Sequence, residues 1–324
     1  MSKLTKWAFP EDLQPRQDGL AFSLQVAYDS MVLLRAEVPE DAFTAQILGT
    51  ERSGNGVVIA EDGLVLTIGY LITEAESIWL TTNDGKVVPG YPLAYDQVTG
   101  FGLVLPLGKL GVPMLGRGSA KSLHEGDEAI VIGHGGGAHG LTARVVSKRE
   151  FVGYWEYVLD EALFVAPAHP EWAGTALLGP DGRLAGIGSL LVQESFDGED
   201  LQCNMFVPID LLEPILDDMR KLGRPAGHPR PWLGMYLSEE QGDLVVMGMA
   251  NGGPADSAGV QVGDAVLGVA GESPSGLADL FRRIWRLGPA GTAVPLVLSR
   301  EGEKVSVQVK SADRNDYLKK PQVH

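Results

Sequence analysis

Ser53-Gly54-Asn55-Gly56-Val57-Val58-Ile59-Ala60-Glu61-Asp62-Gly63-Leu64-Val65-Leu66-Thr67 reads as a β-hairpin. Two apolar runs, 57–60 and 64–67, flank a Glu61-Asp62-Gly63 turn. An Asp-Gly pair between short apolar runs is a hairpin signal, because the glycine accepts the left-handed backbone of a tight turn. The same rhythm continues downstream: 77–82, then Asn83-Asp84-Gly85, then 86–88, with further runs at 103–107, 129–133 and 141–146. Asp181-Gly182 joins 175–178 to 183–192. Short strands at this spacing predict antiparallel β structure, either barrel or sandwich.

The rhythm changes after residue 209. Leu211, Leu212, Ile215, Leu216, Met219 and Leu222 recur at helical spacing, which predicts a helix over 210–222 with Asp210 as its cap. Residues 223–230 (Gly-Arg-Pro-Ala-Gly-His-Pro-Arg) cannot continue it and predict a linker. Beyond it, strands are expected near 244–249, 265–269, 293–299 and 304–309, with one helix over 277–287. The polar tail from Asp313 is expected to fray.

At 324 residues the chain exceeds the size at which one core usually stops growing, so two domains are expected. The expected division is an N-terminal segment 1–20, a first domain 21–222, the linker 223–230, a second domain 231–312 and the tail 313–324. The formal net charge of -16 disfavours nucleic acid and anionic membrane surfaces as partners. A lone cysteine, Cys203, allows no internal disulfide and no thiolate zinc site, and its apolar surroundings fit a small buried residue. The first nineteen residues carry no apolar leader and no run is long enough to span a bilayer, which leads to an expectation of a cytoplasmic protein.

Two groups of motifs resemble the HtrA family, a trypsin-like protease domain followed by a PDZ domain. Ser53-Gly54-Asn55-Gly56-Val57-Val58-Ile59 is similar to the family's Gly-Ser-Gly-Val-Ile opening strand. Leu66-Thr67-Ile68-Gly69-Tyr70-Leu71-Ile72 aligns with Leu-Thr-Asn-Asn-His-Val-Val, placing Tyr70 on the catalytic histidine. Asp96-Gln97-Val98-Thr99-Gly100-Phe101-Gly102-Leu103-Val104 aligns with Asp-x-x-Thr-Asp-Leu-Ala-Val-Leu, placing Gly100 on the aspartate. His169-Pro170-Glu171-Trp172-Ala173-Gly174-Thr175-Ala176-Leu177 aligns with Asn-Pro-Gly-Asn-Ser-Gly-Gly-Ala-Leu, placing Ala173 on the serine. The implied fold is mainly β: two six-stranded antiparallel barrels and a small α/β PDZ domain.

The departures are as informative as the match. Acyl transfer on this scaffold needs a nucleophilic oxygen, an imidazole to take its proton and a carboxylate to orient that imidazole. Ala173 offers no nucleophile, Gly100 no side chain, and Tyr70 a phenol that stays protonated at neutral pH. Glu171 and Trp172 replace the Gly and Asn that form the family's oxyanion loop, and a carboxylate there repels a developing oxyanion. The sequence thus implies a pseudoprotease that holds a protein or peptide partner as structural subunit, adaptor or holdase. Two alternatives stand beside it: an active endopeptidase with a non-standard nucleophile, and a regulatory subunit of an active homologue or larger complex.

Other chemistry is weakly signalled. His134 and His139 lie in a glycine-rich stretch, but two loop histidines without a third placed ligand do not make a metal site. No cofactor is expected. His169 paired with Thr175 or Ser189 is conceivable, though no spacing supports it.

The PDZ resemblance rests on Pro231-Trp232-Leu233-Gly234-Met235, on Gly253-Pro254-Ala255-Asp256-Ser257-Ala258-Gly259-Val260 and on Gly263-Asp264-Ala265-Val266-Leu267. It implies that the Leu233-Gly234-Met235 amides capture a peptide carboxylate beside a helix bearing Leu277 and Phe281. The apolar stripe of that helix fits core and groove alike. Trp7 and Phe9 fit either the aromatic contacts of an HtrA-like homotrimer or packing on their own barrel.

Overall fold

The computed structural model describes residues 7–196, 199–240 and 242–320, and they divide into two compact units. Of the described residues, 7–149, 161–196, 199–226 and 320 form the first, and 150–160, 227–240 and 242–319 the second. The second unit therefore takes in a segment far from it in sequence, which no linear boundary anticipates.

The first unit holds two closed antiparallel barrels. One is built from β1 (Met31–Glu37), β2 (Glu51–Val58), β3 (Val65–Ile68), β4 (Ser77–Thr82), β5 (Val87–Tyr95) and β6 (Phe101–Pro106), in the order β1-β2-β3-β6-β5-β4. The other takes β7 (Glu128–Ile132), β8 (Leu141–Gly153), β9 (Tyr157–Ala166), β10 (Ala176–Leu178), β11 (Leu184–Phe196) and β12 (Glu199–Pro208), ordered β10-β11-β12-β9-β8-β7. Alternation along the strands puts Val131, Leu141, Ala143, Val145, Leu163, Val165, Leu177 and Phe206 inside the second barrel. Phe9 and Leu13, both partly buried, pack on that same core. The helices of this unit are short: α1 (Leu24–Asp29), α2 (Ala45–Leu48) and α3 (Leu216–Leu222).

The second unit is a five-stranded sheet, β13 (Met235–Glu240), β14 (Asp243–Met249), β15 (Ala265–Val269), β16 (Ala293–Arg300) and β17 (Glu303–Lys310), paired in chain order. It carries α4 (Pro254–Ser257) and α5 (Leu277–Arg286). Leu277, Leu280, Phe281 and Ile284 of α5 are all buried in the core of this unit.

Three expectations need correction. The helix over 210–222 is split into a 3-10 turn, Ile209–Leu211, and α3. Pro214 explains the break, because the residue before a proline is driven away from the helical region. Asp210 does not cap this helix; its carboxylate accepts from Ser119 Oγ at 2.6 Å and the Ala120 amide at 2.7 Å. The tail is ordered as far as it is described: Asp313 caps a 3-10 turn and Tyr317 packs edge-on against Trp232 at 4.9 Å. No helix among the described residues is long and apolar enough to cross a membrane.

One buried side chain ties the two barrels together. Asn55 on β2 accepts the His134 amide at 2.7 Å through Oδ1. Its Nδ2 donates to the Glu171 carbonyl at 2.9 Å and the Ala173 carbonyl at 3.2 Å, and its backbone N–H reaches the Ala173 carbonyl at 2.7 Å. Gly174 lies under this clamp with φ +75°, and a Cβ on it would sit 1.9 Å from the Asn55 carbonyl oxygen. Gly85 has a similar φ of +86° but opens onto empty space. Gly174→Ala is therefore expected to cost more than about 3 kcal/mol by denaturant unfolding, and Gly85→Ala only about 1 kcal/mol. Equal losses would mean that backbone conformation alone, not the clamp, requires the glycine.

Candidate functional site

The cleft between the barrels contains the residues aligned with a catalytic triad. Tyr70 stands on a 3-10 turn, Gly69–Leu71, that follows β3. Gly69 fits there because a Cβ would overlap the Tyr95 ring at 2.1 Å. The Tyr70 hydroxyl donates to the Ser189 carbonyl on β11 at 2.7 Å. Burial pushes its phenol far above the ordinary value, and a hydrogen bond from the Trp172 side chain pulls weakly the other way. Tyr70 thus bridges the barrels as a neutral donor and acceptor.

Gly100 ends the Asp96 turn, in which the Thr99 amide and hydroxyl donate to Asp96 Oδ2 at 2.9 and 2.7 Å. It lies at φ +82°, a conformation that an aspartate adopts only with strain. Its carbonyl accepts the Gly69 amide at 2.7 Å. Ala173 is held by Asn55, and its Cβ lies 3.1 Å from where a Cβ on Gly54 would stand. Glu171 reaches outward to accept from the Trp7 indole at 3.0 Å. Trp7 also packs edge-on against His139, His169 and Phe9.

His169 is completely buried and its two ring nitrogens are engaged. The Glu171 amide donates to Nδ1 at 3.1 Å, so Nε2 carries the proton and donates to the His139 carbonyl at 2.9 Å. Burial lowers its pKa, which keeps the ring neutral. Thr175 spends its hydroxyl on the Trp172 carbonyl at 2.9 Å. A His169–Thr175 relay is therefore not assembled. His134 contacts the Thr82 carbonyl through Nε2, and among the described residues no cluster of three His, Cys, Asp or Glu stands ready for a metal ion. Cys203 is buried, and burial pushes its thiol up to about 11.

The second unit holds a different kind of site. The loop into β13 turns at Gly234, φ +75°, where a Cβ would crowd Ala250 and the Trp232 ring at 3.0 Å. This turn points three consecutive amides to one place, a backbone nest suited to an anion. A carboxylate occupies it: Glu156 accepts from the Leu233 amide at 3.1 Å, Gly234 at 2.7 Å and Met235 at 3.1 Å. Leu277 and Phe281 lie with Leu233 and Met235 in one apolar cluster. Sequence reasoning singles out Leu233, Gly234 and Met235 but not Glu156, which lies 77 residues before Leu233 with no local motif to mark it.

The family models match these two regions separately: residues 54–187 match a trypsin-like peptidase domain and residues 231–311 a PDZ domain. A relative from Halomonas elongata, named a probable periplasmic serine endoprotease DegP-like, is 28% identical over 82% of this chain and 57% of its own length. A protein of the same name from Pseudomonas fulva is 28% identical over 81% of this chain and 57% of its own. The chain thus spans little more than half the length of these relatives. Among solved structures, an HtrA-type protease AlgW with decapeptide matches 93% of this chain and 100% of its own, with TM-score 0.53 and 18% identity. A serine endoprotease from Yersinia pestis matches 91% and 99%, with TM-score 0.53 and 19% identity. A trypsin-like peptidase domain followed by a PDZ domain is the class that fold and sites define. The chain shares the fold of the HtrA-type protease AlgW.

The relatives also correct the expected compartment. They are named as periplasmic, which contradicts the cytoplasmic expectation. That expectation rested on a missing leader at one end of the chain, an absence that carries no weight.

Burial pushes the Glu156 carboxyl up to about 7 from its usual 4.5, against the pull of the three amides and of the Arg314 charge. The folded state then holds this proton more tightly than the unfolded chain does. Stability is accordingly highest below pH 4.5 for this group and declines as pH rises to about 7, by up to about 3 kcal/mol. Thermal unfolding of wild type and Glu156→Gln across pH 4–8 is expected to differ by that slope, with the glutamine variant flatter. Parallel profiles would place the titration elsewhere.

Proposed function

We propose that this chain is a non-catalytic HtrA-type protein that works by holding a protein or peptide partner, with the PDZ nest as its carboxylate-binding element. The observation that carries this reading is Tyr70. Where the family's scaffold puts a general base, a phenol with a raised pKa donates its proton to the Ser189 carbonyl. Such a group neither accepts a proton from a nucleophile nor faces one, since Ala173 supplies no oxygen. In a subtilisin-type enzyme, loss of the whole triad costs on the order of 10⁶ in turnover. The engaged rings and hydroxyls of His169 and Thr175 support the same reading.

A second reading is favoured by the relatives' own names: a serine endopeptidase whose nucleophile lies elsewhere in the chain. Fluorophosphonate labelling followed by intact mass, run alongside casein digestion, separates the two. No adduct and no digestion are expected. A stoichiometric adduct on any serine or threonine would establish the second reading and end the first.

A further inference from the structure

Residues 150–160 form the end of the β8–β9 hairpin, yet they belong to the same compact unit as residues 227–319. Within that unit the hairpin meets three requirements of a peptide that adds to a sheet edge and presents a terminal carboxylate. The Glu156 carboxylate fills the nest of Leu233, Gly234 and Met235 amides. The Tyr154 carbonyl accepts the Leu237 amide at 3.0 Å, on β13, which is the outer strand of its sheet. Val158 is buried in the apolar cluster that contains Met235, Leu277 and Phe281.

Further contacts join the hairpin to α5 and brace its tip. Arg282 on α5 bridges Glu150 at 2.5 Å and Asp160 at 2.6 Å, one acid at each root of the segment. Trp155 stacks on Tyr157 with ring centres 5.7 Å apart, and its indole lies over Gly153, where a Cβ would meet it at 2.8 Å. Glu156 itself adopts φ +62°, a left-handed backbone that side chains disfavour and that persists only where surrounding contacts impose it. This residue sits in the turn of the hairpin, between β8 and β9.

We propose that the hairpin tip Tyr154–Trp155–Glu156 is a built-in ligand of the PDZ groove, so that a peptide with a free C-terminal carboxylate binds by displacing it. This rests on the peptide-binding reading of the second unit and extends it: the groove is guarded by a segment of the same chain. The side-chain carboxylate of Glu156 stands in for a chain terminus, and Val158 for an apolar terminal side chain. The external ligand is therefore a peptide ending in an apolar residue with its carboxylate free.

The test uses the whole chain and a fluorescein-labelled decapeptide ending in valine, with its C-terminal amide as control. A competitor that occupies the groove lowers apparent affinity by the fraction of time the groove is open. Glu156→Ala is expected to bind the free-acid peptide at least about tenfold more tightly than wild type. Arg282→Ala, which loosens the hairpin roots and leaves the nest and Glu156 intact, is expected to gain about threefold. The amidated peptide is expected to bind none of the three. Amide hydrogen exchange at residues 233–235 should accelerate in Glu156→Ala in the absence of peptide. Equal peptide affinity in all three chains, with unchanged exchange at 233–235, would overturn the built-in ligand and leave peptide binding standing. Failure of every chain to bind the peptide would overturn both, even if exchange accelerates.

Discussion

A single buried amide, that of Asn55, sets the geometry on which the rest of the first unit depends. It binds the end of β7 through the His134 amide and the loop before β10 through two carbonyls. Closed barrels leave no strand edges for pairing with each other, so two of them are registered by loops and side chains. Each buried polar partner left unsatisfied costs about 1–3 kcal/mol, so the set of bonds around Asn55 favours one arrangement of the two barrels. The Tyr70 hydroxyl on Ser189 adds a second tie across the same cleft. Gly174 is a place where this closeness excludes any side chain, with the Asn55 carbonyl oxygen 1.9 Å from where a Cβ would stand.

That cleft and the PDZ nest share a physical feature: groups that elsewhere would face a ligand are engaged by the chain itself. Between the barrels, the Tyr70 and Thr175 hydroxyls and the His169 imidazole donate to backbone carbonyls. In the nest, three amides are met by Glu156. Burial of the carboxyl group opposes this arrangement and the amides favour it, which is why its pKa lies near 7 and not below 4.5.

Much of the fold is legible from short-range chemistry. The turns at Gly63, Gly85 and Gly182 all take positive φ, as Asp-Gly pairs between apolar runs require. The strands they join follow from alternation. The helix over 210–222 was misjudged because the apolar spacing runs straight through Pro214, whose effect is on the backbone and not on the pattern. Asp210 is equally persuasive as a cap in sequence, but its oxygens are taken by Ser119 and Ala120, a competition visible only in space.

The side chains at positions 70, 100 and 173, and the glycine-bearing turn before β13, are matters of sequence alone, because folding does not change which groups a residue carries. Which nitrogen of His169 carries its proton, where the Tyr70 hydrogen points and what occupies the nest were decided only by tertiary structure. The physical reason is separation along the chain. Local propensity and periodicity act over a few residues, whereas Tyr70 meets a carbonyl 119 positions away and Glu156 an amide 77 positions away. Contacts of that span are selected by packing of whole barrels and sheets, and no local pattern records them.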